Sequence, residues 1–209
     1  MTIELLVLRH GQSQADLEDR HEGRADFPLT ELGREQGRRV GTWLAVRYAV
    51  DRILASTLIR AAETAEIVGS ALGVPVESEP ALMEFNNGEL AGMLKSESRE
   101  RFGAMFGGRS ELAPYERFPG GETMVEMRAR AEHFLSKLLN ETADGQRVLL
   151  VSHGGMIAQL FRAYLSLPVE TRVFPSTGDT GVHLWEVEGA RRRIRFMNSL
   201  MHLEGLEGG

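Results

Sequence analysis

The chain has 209 residues, with 24 basic and 30 acidic side chains, a formal net charge of −6, six histidines and no cysteine. That length suits a single domain with a real hydrophobic core. The missing cysteines exclude disulfides, thiolate metal sites and a cysteine nucleophile, and the acidic balance argues against nucleic acid or an anionic membrane as partner, since both need a broad basic face. A small anionic ligand needs only a local cluster, and arginine supplies nearly all the positive charge, with Lys95 and Lys137 the only lysines. No apolar run approaches the ~18–20 residues of a membrane span. The opening MTIELLVL lacks the basic start and cleavage site of a signal peptide. A cytoplasmic location is expected.

Ile3 to Leu8 is a near-continuous apolar run, the pattern of a central strand buried on both faces. A polar loop over 9–29 follows. Thr30 is placed to cap a helix over 31–47, with Leu32, Val40, Trp43 and Leu44 as its apolar stripe. A short strand over 52–55 leads to Ser56-Thr57, which can cap a helix over 58–72 that ends at Gly73. A further strand is expected over 75–79. Residues 92–121, rich in Gly, Arg, Ser and Glu, read as an insertion of short helices and loops. A long helix over 122–142, a second buried strand over 148–151, a helix from 154 to about 166 and a terminal hairpin around Gly189 complete the pattern. Alternating strands and helices imply a layered α/β domain whose ligands gather beyond the carboxyl ends of the strands.

Three segments meet at that edge: the loop opening with Arg9-His10-Gly11, the turn at 56–60 and the turn Ser152-His153-Gly154-Gly155. They carry Arg9, His10, Arg60 and His153, and the loop after the 75–79 strand adds Glu84. Each residue alone is more often structural or solvated than functional. Together they read as phosphoryl chemistry. Arginine forks match phosphoryl oxygens, and helix starts near 56 and 154 can add backbone N–H groups, Gly154 among them. A neutral imidazole flanked by guanidinium charge is a nucleophile. A carboxyl such as Glu84 can protonate the leaving oxygen and then activate water.

Seven stretches, LRHGQSQAD (8–16), DFPLTELGREQG (26–37), STLIRAAETA (56–65), LMEFNNGELAG (82–92), FPGGET (118–123), VLLVSHGG (148–155) and NSLMHL (198–203), resemble the histidine phosphatase superfamily in its phosphoglycerate-mutase-like branch. They occur in family order over nearly the whole chain. The resemblance implies a three-layer α/β/α sandwich with a mixed, mostly parallel central sheet, formed by one domain over 1–209 with the insertion at about 92–121. It implies His10 as the phosphohistidine, Glu84 as proton donor, and Arg9, Arg60 and His153 around the phosphoryl group. Ser13, Glu22 and Gly23 become candidate substrate contacts. The expected activity is that of a metal-independent histidine phosphatase of the acid type, needing no cofactor, acting on a small-molecule phosphomonoester as a monomer or homodimer.

Two positions depart from the family pattern. Asp16 stands where an asparagine is frequent, so that residue's binding role is not carried over. Glu22 stands where glutamine or threonine is frequent. The two acids either point to solvent or pair with Arg20 or Arg24, or they favour a substrate with an amine or hydroxyl beside its phosphate. Against mutase chemistry stand the short insertion and the acidic, glycine-rich tail EGLEGG. Phe85, Met93, Phe102, Met105, Phe106, Tyr115 and Phe118 make either a small core for the insertion or an apolar wall for a bulky substrate.

Other classes fit less well. A metal hydrolase could use His10, His153 and Glu84, but Arg9 beside His10 would repel the cation. No GxSxG elbow, P-loop or dinucleotide fingerprint is present. A non-catalytic phosphate-binding protein of the same fold stays open as an alternative.

Overall fold

The computed structural model describes residues 2–106, 113–171 and 173–206. Six strands form one sheet: β1 (Thr2–Arg9), β2 (Arg52–Ala55), β3 (Val76–Ser78), β4 (Arg147–Ser152), β5 (Val182–Glu188) and β6 (Arg191–Ser199), in the order β3-β2-β4-β1-β5-β6. β1 to β4 run parallel, and β5 returns antiparallel to both β1 and β6. The sheet is therefore mixed, as expected. Its apolar middle strands sit at the centre, where Leu5, Leu6, Val7, Leu8, Leu149 and Leu150 lose all solvent contact. Burying each leucine side chain contributes about 1.5–3 kcal/mol.

Helices cover both faces. α1 (Gln14–Leu17) is one short turn in the stretch read as loop. α2 (Glu31–Arg47) and α3 (Ile59–Leu72) pack on one face, over Leu6, Leu8, Ile53 and Val151. α4 (Lys95–Phe106) lies within the 92–121 segment. α5 (Met124–Glu141) and α6 (Gly154–Tyr164) pack on the other face, over Leu5, Val7, Val148, Leu150 and Trp185. The result is an α/β/α sandwich, and no helix among the described residues is long and apolar enough to cross a membrane.

Thr30 caps α2 by accepting the Gly33 N–H at 2.9 Å. The buried stripe of α2 differs from the expected one: it is Gly33, Gln36, Gly37, Val40, Gly41 and Leu44, with Leu32 and Trp43 only half-buried. The glycines let α2 approach α3 closely; a Cβ on Gly41 would stand 3.0 Å from the Ala71 methyl. Trp43 instead packs at a tilt near His202, 6.1 Å between ring centres and 53° between planes. α3 ends at Gly73, whose φ of +69° is the left-handed cap expected there. Its start is not capped by Ser56 or Thr57, for Leu58 holds the cap position and Ile59 N–H goes to Asp26.

The outer edge, β6, carries Arg191, Arg192, Arg193 and Arg195, of which Arg193 and Arg195 pair with Glu186. Charge along an edge strand discourages pairing with another sheet.

Candidate active site

Strand register builds the centre of the site. Parallel pairing sets Arg9 opposite Ser152 and Ala55 opposite Val151. The next residue on each strand is then His10, His153 and Ser56, and these three side chains meet. The His10 and His153 rings lie 5.0 Å apart, and His153 Nε2 is 2.7 Å from Ser56 Oγ. Both rings are 1% exposed or less.

Bonding fixes the tautomer of His10. His10 Nδ1 lies 2.8 Å from the Gly11 carbonyl, which can only accept, so the proton sits on Nδ1. Nε2 is left with its lone pair, toward which Arg60 Nε donates at 3.3 Å. Ser56 Oγ accepts from Leu58 N–H at 3.3 Å and has both a proton and a second lone pair for His153 Nε2; when it donates, the His153 ring proton sits on Nδ1. His153 Nδ1 and Arg9 Nε are buried and have no hydrogen-bond partner among the described residues. Burial holds the pKa of both histidines well below the usual value. For His10 the charges of Arg60 and Arg9 push the same way, against the Gly11 bond; for His153 the neighbours are His10, Arg60, Arg9 and Arg130.

The arginines are tightly held. Arg60, wholly buried, donates to Ala25 O at 3.0 Å and Gly23 O at 2.9 Å. Arg9 donates to Thr177 O at 2.9 Å and pairs with Asp179 at 3.2 Å. Close backbone approach needs glycine at Gly11, where a Cβ would lie 2.4 Å from the Gly33 carbonyl oxygen. At Gly23 a positive φ of +50° brings the chain against Asn87.

Glu84 reaches the site at the start of α6. Its carboxylate accepts from Phe85 N–H at 2.7 Å and Gly155 N–H at 2.9 Å. A side chain at 155 would collide with it, since a Cβ there would be 2.4 Å from Oε1. Its carbonyl accepts from Arg24 and Arg130, both at 3.4 Å. Arg130 also binds Glu122 at 2.6 Å, and Glu122 takes Asn86 N–H at 2.8 Å. This frame explains the Glu of FPGGET, a residue whose part is invisible in sequence. It also corrects one expectation: both helix starts at the site already have an N–H committed to a carboxylate, Ile59 to Asp26 and Gly155 to Glu84. Gly154 remains the first residue of α6, directly after His153.

The two departing acids part ways: Asp16 is exposed, in line with the solvent reading, while Glu22 neither faces solvent nor pairs with Arg20 or Arg24. Asp16 accepts Ser13 N–H at 2.9 Å and lies 3.2 Å from Ser13 Oγ, as the acid of a capping box at α1. Glu22 turns inward. Its carboxylate is 3.3 Å from Arg60 Nε and 3.7 Å from His10 Nε2. Arg20 pairs with Glu18, and Arg24 with Glu122.

A cavity of about 600 Å³ opens between these groups and the insertion. Glu22, Gly23, Glu84 and Gly155 line its inner end; Phe85, Leu90, Phe118, Met124, Met127 and Phe174 line its apolar wall. Two cations at its rim are already paired, Arg20 with Glu18 and Lys95 with Asp19. The expected aromatic set thus divides. Phe102 and Phe118 pack edge to face with Leu90 as a small core, while Phe85 and Phe118 also face the cavity. Met105 and Tyr115 are exposed. The side chain of Phe106 lies outside the described residues, as do Gly107 and Gly108. Among the described residues no group of three or more His, Asp or Glu is arranged to hold a metal ion.

Behind Arg9, the 177–181 loop is tied to the terminal segment. His183 Nε2 bonds Thr177 Oγ1 at 3.1 Å, His202 Nε2 bonds Thr180 Oγ1 at 2.8 Å, and Asn198 takes Gly178 N–H at 2.8 Å. Burial lowers His183 and His202 to about 4. In the unfolded chain they titrate near the ordinary value of about 6.5. The native state thus binds fewer protons, and stability present above that value is lost as pH falls from about 6.5 toward 4. Each histidine is expected to cost on the order of 2 kcal/mol over that window. Urea midpoints at neutral pH and near pH 4.5 test this, and His202→Gln should flatten the decline.

Known proteins share the sequence and the architecture. The model for the histidine phosphatase superfamily (branch 1) matches residues 5–200. A glucosyl-3-phosphoglycerate phosphatase of Mycolicibacterium vanbaalenii is 34% identical over 87% of this chain and 81% of its own. A probable phosphoglycerate mutase of Escherichia fergusonii is 33% identical over 79% and 76%. Among solved structures, the mycobacterial glucosyl-3-phosphoglycerate phosphatase with VO3 superposes with a TM-score of 0.82 at 29% identity, over 94% of this chain and 98% of that one. An Escherichia coli structure titled as a putative α-ribazole-5′-phosphate phosphatase gives 0.84 at 25% identity, over 94% and 96%.

Proposed function

Because the chain belongs to the histidine phosphatase superfamily (branch 1), we propose that it hydrolyses a small-molecule phosphomonoester through a phosphohistidine on His10. The observation that carries this reading is the His10 tautomer: Nδ1–H is pinned to Gly11 O, and the Nε2 lone pair faces the site beside Arg60. Nε2 attacks phosphorus as the ester P–O bond breaks, and Glu84 delivers a proton to the departing oxygen. Water then attacks phosphorus, gives its proton to Glu84, and the P–N bond breaks. Arg9, Arg60 and His153 hold the phosphoryl oxygens. Arg9 Nε–H and His153 Nδ1, the latter in its protonated tautomer, are buried without partners among the described residues and suit that task. Gly154 belongs to the same rim, and Ser13 and Gly23 position Glu22 and Arg60 around it.

Hydrolysis is favoured over mutase transfer by the cavity. Its wall is apolar and its rim cations are paired, so it offers little to the carboxylate of a phosphoglycerate. The substrate class supported is a phosphomonoester with a bulky, partly apolar organic group. The relatives' names include both phosphatases and mutases, so the test must include both activities. On a phosphomonoester panel, aryl or similarly bulky esters are expected to exceed 3-phosphoglycerate in kcat/KM by about tenfold or more, a difference of the size apolar pocket contacts supply. Efficient interconversion of phosphoglycerates would overturn the reading.

A further inference from the structure

Glu22 sets a puzzle that the phosphatase reading does not resolve. Its Oε2 lies 3.7 Å from His10 Nε2 and its Oε1 lies 3.3 Å from Arg60 Nε. A phosphoryl group bound to or facing Nε2 must bring its oxygens up to that carboxylate and must share the same arginine. Two anions so placed repel, as paired carboxylates do, and a shared proton relieves the repulsion.

The hydrogen-bond count at Ser13 has room for that proton on either oxygen of Glu22. Ser13 Oγ lies within bonding distance of two carboxylate oxygens, Glu22 Oε1 at 2.5 Å and Asp16 Oδ2 at 3.2 Å. A hydroxyl has a single hydrogen to give. Asp16 also accepts the Ser13 N–H, as a capping carboxylate does. A proton on Glu22 Oε1 satisfies both oxygens, Glu22 donating to Ser13 and Ser13 to Asp16; a proton on Oε2, beside His10 Nε2, leaves Ser13 donating to Oε1 and Asp16 holding the Ser13 N–H, and is free to meet a ligand.

We propose that Glu22 is a proton-carrying member of the phosphoryl site: a neutral carboxylic acid when the site is filled, donating its O–H to a non-bridging phosphoryl oxygen. The inference rests on the phosphatase reading. The groups that face Glu22 are Arg9 from β1, His10 just after it, Ser13 and Asp16 at α1, and Arg60 from α3. Burial raises its pKa most and Asp16 adds to the rise, while Arg60, Ser13 and Arg9 oppose it. A phosphoryl group that draws on Arg60 removes the largest opposing influence. Ionisation of Glu22 then makes ligand binding weaken as pH rises, beyond what the ligand's own titration accounts for.

The test is equilibrium binding of inorganic phosphate by calorimetry, comparing wild type with Glu22→Gln from about pH 5 to about pH 8.5, a range spanning ordinary and strongly raised carboxyl values. Phosphate's own ionisation and that of His10 and His153 act on both proteins and cancel in the ratio. Near the acid end the two should bind alike. At the alkaline end the glutamine variant should bind about tenfold more tightly, the effect of one unit of differential proton linkage. Repeating the titrations in buffers of different ionisation enthalpy should show wild type taking up more protons than the variant at the alkaline end. Glu22→Ala, read by the same ratio, guards against a misfolded glutamine variant. A ratio independent of pH with equal proton uptake overturns the inference and leaves the phosphoryl site standing. Absence of phosphate binding to either protein at every pH overturns the phosphoryl site, and the inference with it.

Discussion

Replacing His10 by alanine should reduce phosphomonoester turnover by more than about 10³-fold and abolish trapping of an acid-labile phosphoenzyme, as loss of a covalent nucleophile does. The expectation follows from how the ring is held. The Gly11 carbonyl at 2.8 Å fixes the proton on Nδ1, and burial together with Arg60 and Arg9 keeps Nε2 unprotonated well into the acid range. His153 cannot take over. Its Nε2 is engaged by Ser56, and in the proposed mechanism its Nδ1 carries the proton that donates to a phosphoryl oxygen. Because Arg9, Arg60 and His153 keep their own partners among carbonyls, Asp179 and Ser56, the variant should still bind inorganic phosphate. Unchanged turnover would end the phosphohistidine proposal. Lost turnover together with lost phosphate binding would instead mean that His10 shapes the site without attacking.

Much of this geometry was legible from local pattern. Two apolar strands each ending in His-Gly, the cap at Thr30 and the left-handed Gly73 are short-range features, and sequence carries such features directly. What local pattern does not carry is register. His10 and His153 meet because Arg9 pairs with Ser152, and Ser56 joins them because Ala55 pairs with Val151. The grip on Arg9 is similarly non-local: β5 runs antiparallel to β1, so the loop before β5 lies where β1 ends, and Thr177 and Asp179 reach the guanidinium. Arg130 and Glu122, which steady the Glu84 segment, give no sign in sequence because their partners are backbone carbonyls and an N–H about 36 to 49 residues away. Helix starts were read as free donors; the acids that occupy them, Asp26 and Glu84, come from other elements. Asp16 is a different case. Ser13-x-x-Asp16 is a capping-box spacing, visible in the sequence, and it accounts for an acid that otherwise looks misplaced beside an anion site.

Glu84→Gln should separate substrates by their leaving groups. In the proposed mechanism Glu84 protonates a departing alkoxide, which an alkyl ester needs and a nitrophenolate scarcely does. kcat/KM reports steps up to formation of the phosphoenzyme. It should fall by about 10²–10⁴ for an alkyl phosphate, the range for a lost general acid, and by less than about tenfold for p-nitrophenyl phosphate. The second half-reaction is common to both esters and uses Glu84 as base toward water. With the nitrophenyl ester the variant should therefore release a burst of nitrophenol and accumulate phosphoenzyme before a slow steady state. Geometry adds a second cost. Both carboxylate oxygens accept backbone N–H groups, from Phe85 and from Gly155. An amide places an NH₂ against one of those donors, so the side chain must give up one anchor. That loss is equal for every substrate and cannot produce a split. Equal falls in kcat/KM for the two esters, with no burst, would assign Glu84 to positioning rather than to proton transfer.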